Sequence, residues 1–147
     1  MPKSTEELYH ELLAASHIGD YLQHNQQELT APELHLYLQA LLREKNKRRS
    51  EVIRAANLES SYGYRLFDGS KKHPHRDKLI ALASGLQLDQ AETSRLLKYA
   101  GHRELYPRDR RDSIISFCLD KGYDLDVINQ TLSKFCCAEL DLMKEDK

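Results

Sequence analysis

Apolar residues recur along this chain at helical spacing, and runs alternating at period two are nearly absent, so the pattern predicts an all-α protein. Ser4-x-x-Glu7 is a capping box that opens a helix through about Ala15, and Ile18, Tyr21 and Leu22 mark a second short helix before the polar stretch Gln23–Glu28. Thr30-x-x-Glu33, with Pro32 in the first turn, predicts a stronger helix reaching about Lys45. Its Leu34, Tyr37, Leu38, Leu41 and Leu42 fall at i, i+3, i+4, i+7 and i+8, one face of a helix. Ser50 is the expected cap of a short helix carrying Val52, Ile53, Ala55 and Ala56. Asn57 suits the left-handed residue that ends it, and Ser60–Phe67 form the next helix, stopped by Asp68-Gly69. After Pro74 come helices at about 75–84, ended by Gly85, and from the Asp89-x-x-Glu92 cap to Gly101. Beyond a Pro107 turn, two more are expected at about 109–121, ended by Gly122, and 125–138, capped by Asp124. The expected organisation is a helical extension (1–29), a five-helix domain (30–101) and a closing helical pair (102–147).

Composition narrows the class without naming a chemistry. The chain has 147 residues, 40% hydrophobic and 31% charged, which suits one domain or one domain with an appendage. No run approaches ~18 apolar residues, and the acidic start MPKSTEELYHELL lacks the signature of a signal peptide, so a cytoplasmic protein with no membrane association is expected. Cys118, Cys136 and Cys137 have no CxxC spacing and are read as structural or idle thiols. His10, His17 and His24 recur every seventh residue, but Gly19 and polar neighbours argue against one continuous helix aligning them on a metal. No nucleophile triad, phosphate-binding glycine loop or metalloprotease pattern is present, so neither enzyme activity nor a metal or cofactor is expected.

Charge is unevenly spread. Net charge is −1, yet residues 1–42 carry one Lys against six acids, 43–78 carry eleven Lys/Arg against five acids, and 79–147 carry ten against twelve. A local basic face framed by acidic segments is how a nucleic-acid surface looks in a near-neutral protein. Within that segment, Ser50–Ala56, Asn57-Leu58-Glu59 and Ser60–Phe67 make a helix-turn-helix. The second helix turns Leu58, Tyr62, Gly63 and Leu66 inward and Ser60, Ser61, Tyr64 and Arg65 outward. Arg65 can donate two bonds to guanine, the serines can bond bases or phosphates, and Tyr64 can meet a thymine methyl or a backbone oxygen. Arg48, Arg49, Lys71 and Lys72 flank this helix and would neutralise phosphates.

Residues 31–86, with SEVIRAANLESSYGYRLFDG, a Lys-Lys loop with Pro74, and RDKLIALASGL, resemble the λ-repressor-like (XRE-type) helix-turn-helix regulators of bacteria and phages. The resemblance implies a five-helix DNA-binding domain in a transcriptional regulator. It also implies that Arg49 contacts phosphate and supports the base contacts, that Ser60, Ser61 and Arg65 read bases, and that Lys71 and Lys72 grip the backbone. Four positions depart from the family pattern: Ile53 replaces a small Ala, Asn57 the common turn Gly, Gly63 a β-branched core residue, and Asp68 a neutral or basic residue near phosphate.

Tyr99–Leu140 resembles the helical extension of one subgroup of that family. Arg108, Arg110 and Arg111 there either extend the phosphate surface or pair with Asp109 and Asp112. Ile114, Ile115, Phe117, Leu119, Val127, Ile128, Leu132 and Phe135 exceed what two lone helices can bury, so they must pack on the domain or on a second copy of the chain. A homodimer would read pseudo-palindromic half-sites. The expected function is sequence-specific binding of double-stranded DNA. The alternative keeps the fold and makes it an adaptor for another protein, reached through this face or through the extensions.

Overall fold

Helices and loops account for all of the described residues, 3–29 and 33–146, of a computed structural model, and no strand occurs among them. The chain divides into two compact units, Met1–Glu33 and Leu34–Lys147. In the first, α1 (Thr5–Ala14) starts as its capping box predicts, with Ser4 Oγ accepting the Glu7 N–H at 3.1 Å. After a break come α2 (Ile18–His24) and α3 (Gln26–Leu29), the latter an extra turn inside the stretch read as merely polar. Lys3 Nζ ties Glu11 (2.7 Å) to the side chain of Asn25 (2.8 Å). Ala15 is extended and ends α1, so His10 lies on α1, His17 is the extended residue that precedes α2, and no single helix aligns them with His24. No cluster of three metal-ligating side chains occurs among the described residues.

The second unit begins with α4 (Leu34–Lys45), which buries Tyr37, Leu38, Leu41 and Leu42, the stripe that periodicity selects. The proposed Thr30 cap with Pro32 lies outside the described residues. Next, α5 (Arg49–Ala55) starts earlier than a Ser50 cap would allow. The Glu51 carboxylate reaches back to the Arg48 N–H (3.1 Å) and Nε (3.0 Å), which makes Arg48 the cap and places Ser50 in the first turn. Asn57 is left-handed, with φ 56°, and α6 (Ser60–Asp68) follows.

The first helix after Pro74 is α7 (Arg76–Gly85). Gly85 is not its left-handed terminator, since Gln87 takes that conformation at φ 59°. Gly85 is needed for close approach: a Cβ there would lie 2.6 Å from the Val52 carbonyl oxygen, where α5 crosses α7. A reciprocal capping box between Asp89 and Glu92 opens α8 (Gln90–Tyr99). Tyr99 stacks on Tyr37 with ring centroids 4.3 Å apart.

The last pair is α9 (Arg110–Asp120) and α10 (Leu125–Lys134). The second stops short of residue 138 because Cys136 turns left-handed (φ 61°) and the Cys137 N–H reaches back to the Leu132 carbonyl at 2.8 Å. Ile115, Cys118, Leu119, Leu125, Ile128 and Leu132 join Leu79, Ile80, Leu82, Leu96 and Leu97 in one buried core. The last two helices therefore hide much of their apolar surface within the unit. No helix among the described residues is long and apolar enough to cross a membrane.

The start of α9 pairs with α7 rather than with itself. Arg76 grips Asp112 with two bonds (3.1 and 2.9 Å), and Arg111 grips Asp77 with two more (3.0 and 2.9 Å). Neighbouring residues on each helix thus exchange a cation and an anion. Arg110 instead donates to the Phe135 carbonyl at 3.0 Å. Burial works to raise the Asp77 carboxyl, but bonds from Arg111 and from the Asp141 N–H win and leave it below its usual 3.8. A depressed carboxyl contributes stability that is fully present above its unfolded value and is lost as pH falls through its folded one. Thermal midpoints should stay level from neutral pH to about 5 and drop below about 4, with a shallower acid slope in Asp77→Asn. Melting curves across that pH series check this, and an unchanged slope would remove Asp77 from the account.

Candidate nucleic-acid interface

Two short helices and a capped turn build this face. The Leu58 N–H bonds to the Ile53 carbonyl (3.2 Å) and the Asn57 N–H to the Arg54 carbonyl (3.0 Å), closing the end of α5 around left-handed Asn57. Glu59 then caps α6, its carboxylate accepting the N–H groups of Ser61 (3.1 Å) and Tyr62 (2.8 Å). Gly63, Leu66 and Phe67 are buried, and Gln39 of α4 donates to the Phe67 carbonyl at 2.7 Å, fixing the far end of the helix. Ser60, Ser61, Tyr64 and Arg65 lie on the exposed side.

These four are not independent of their neighbours. The Ser61 hydroxyl lies 2.9 Å from both oxygens of Glu59, Arg65 Nε donates to the Ser61 carbonyl at 3.3 Å, and the Arg49 guanidinium stands 5.6 Å from the Tyr64 ring centre. Arg49 and Tyr64 thus form one cation–π unit between the two helices. Arg48, Arg49 and Lys72 are exposed, whereas Lys71 is half-buried with its Nζ 5.7 Å from the Tyr62 ring centre.

The two acids on this face have structural roles. Bonds from Tyr62 N–H, then from Ser61, hold the Glu59 carboxyl below its usual range. Asp68 is lowered by its bonds to Ser70, whose N–H it accepts at 2.8 Å, and it closes the loop after α6. Gly69 is left-handed at φ 93°, and a Cβ there would meet the His35 ring at 2.9 Å. His75 caps α7 by accepting the Asp77 N–H, and His102 Nε2 lies 2.8 Å from the Pro74 carbonyl oxygen, so neighbouring groups fix the His-Pro-His loop.

Part of the basic charge counted in residues 43–78 is used internally. Lys45 pairs with Glu92 (2.7 Å), Arg76 with Asp112 (2.9 Å) and Lys78 with Asp146 (3.2 Å). Tyr62, expected to face inward, and Lys78, one of the eleven basic residues of 43–78, both meet Asp146. The Tyr62 hydroxyl donates to that carboxylate at 2.6 Å and the His75 N–H at 2.8 Å. Nothing local flags this cluster, because Lys78 and Asp146 are 68 residues apart. Compared with known protein families, curated proteins and solved structures, the chain shows no match.

Proposed function

We propose that this chain binds double-stranded DNA sequence-specifically as a transcriptional regulator, with helices α4–α8 as a λ-repressor-like domain and α6 in the major groove. The observation that carries the reading is the division of α6. One side is locked in the core by Gly63, Leu66 and Phe67, while Ser60, Ser61, Tyr64 and Arg65 face outward beside Arg49 and the Lys71-Lys72 loop. A rigid helix with polar groups on its free side and cations at its flanks is what groove reading needs: phosphate contacts set register and base contacts choose sequence. In this reading Arg65 leaves the Ser61 carbonyl for a guanine edge. Ser61 exchanges its Glu59 bond for a base or phosphate oxygen.

The test is selection from random duplexes at two salt concentrations. An enriched motif should emerge, and Arg65→Ala should lose about 1–3 kcal/mol of discrimination at one base position. Lys72→Ala should weaken all sequences alike and reduce the salt slope by about one. Absence of enrichment, with weak binding even at low salt, would favour the protein adaptor. The observation on that side is the exposed apolar set Tyr106, Phe117 and Phe135 on and beside the last two helices.

A further inference from the structure

The segment after α10 runs back across the start of α7 as an anchored strap. Arg111 donates to the carbonyls of Ala138 (2.9 Å) and Glu139 (3.1 Å), Asn129 accepts the Leu140 N–H (2.9 Å), and Asp77 accepts the Asp141 N–H (2.9 Å). Leu140 is buried. The strap then delivers Asp146 to a site built from three places in the fold: Tyr62 Oη on α6, the His75 N–H before α7, and Lys78 Nζ on α7. The Lys78 side chain is 8% exposed, and its ammonium lies 4.3 Å from the Tyr62 ring centre. Lys71, from the basic loop, approaches the same ring.

A hydroxyl, a main-chain N–H ahead of a helix and an ammonium are the donors that a nucleic-acid backbone phosphate takes from proteins. A lysine this buried needs an anion, and either a carboxylate or a phosphate oxygen supplies one. The site shares Tyr62 with the recognition helix and adjoins the loop carrying Lys71 and Lys72. The strap is also charged for competition, since residues 139–147 hold four carboxylates against two lysines. We propose that Tyr62 Oη, Lys78 Nζ and the His75 N–H form a backbone-phosphate site that Asp146 fills in the free protein, so that duplex DNA binds by displacing the strap. This rests on the DNA-binding reading, and it makes the strap a built-in competitor.

Asp146→Asn keeps the side-chain shape and removes the charge. A strap closed in nine molecules of ten lowers apparent affinity ~tenfold, so Asp146→Asn should bind duplex ~tenfold more tightly, while Asp146→Glu stays near the parent. Fluorescence anisotropy with a labelled duplex reads this, and thermal melting verifies that each variant is folded. A second arm titrates Asp146→Asn with inorganic phosphate against chloride at matched ionic strength, following the His75 amide by NMR. Movement of that amide in Asp146→Asn, and its loss when Tyr62→Phe is added, supports the site. If phosphate moves the amide but no protein binds duplex, the DNA reading is overturned, and with it displacement by DNA. If parent and Asp146→Asn bind duplex equally and phosphate moves nothing, the proposal is overturned with DNA binding intact.

Discussion

Asp112→Ala is expected to destabilise the Leu34–Lys147 unit by about 3–5 kcal/mol, the usual cost of removing one partner from a buried ion pair. Asp112 has no solvent exposure and accepts from both terminal nitrogens of Arg76 and from the Tyr106 N–H at 3.2 Å. Arg76 also donates to the carbonyls of Arg103 and Glu104, so the pair ties α7, the 103–106 loop and α9 at one point. Truncation would leave a guanidinium, only 11% exposed, facing an empty site. A midpoint lowered by roughly 10–20 °C in thermal melting is the expected reading at this domain size. Replacing both partners together, as Arg76→Met with Asp112→Leu, should cost less than the single change because no buried charge is left unpaired. The same curves test whether the last two helices belong to the unit. Loss of α9 and α10 ahead of the rest would appear as two transitions, and a cost below about 1 kcal/mol would show that the ion pair is not holding the helices together.

That junction also marks where the sequence stops being legible. Helix starts could be read because caps are local: Ser4 with Glu7, Asp89 with Glu92, and Asp124 with Val127 all form within three residues. The inner stripe of α4 follows from spacing alone. Local reading failed where two donors or acceptors compete, as at the start of α5, where Glu51 outbids Ser50 by reaching back to Arg48. It failed again at Gly85, whose reason is a carbonyl on another helix. The partners of Arg111 and Asp112 lie 34 and 36 residues away, and no periodicity encodes a choice between them and the nearer Asp109. The same holds for the candidate site. Ser60, Ser61, Tyr64 and Arg65 share a face for helical reasons visible in sequence, whereas the meeting of Tyr62, His75 and Lys78 with Asp146 depends on the whole fold.

The second large effect should come from the crossing of α5 and α6, where Ile53 and Gly63 share one space. A Cβ on Gly63 would lie 2.5, 2.7 and 2.9 Å from Cγ2, Cγ1 and Cδ1 of Ile53, and Ile53 is buried. Its branched side chain therefore fills the space that a β-branched residue on α6 would take, and α6 accepts glycine in return, at ~1 kcal/mol of helix propensity. Gly63→Val should overpack this contact and cost about 1–3 kcal/mol or more despite the better helix former. Ile53→Ala should leave a cavity and cost about 2–5 kcal/mol. Combined, they move the branched side chain from one helix to the other, and the double variant should be more stable than either single one. Denaturant unfolding of all four proteins gives the coupling, expected near the upper end of the ~0.5–3 kcal/mol seen for residues in contact. Additive losses would mean that the two helices do not share this space. Because Ile53 and Gly63 lie where α6 meets α5, the double variant also tests the proposed DNA-binding function. If that proposal holds, the double variant should keep whatever duplex preference the parent has, whereas Gly63→Val, with α6 pushed off its seat, should discriminate less among duplexes while keeping the same salt dependence.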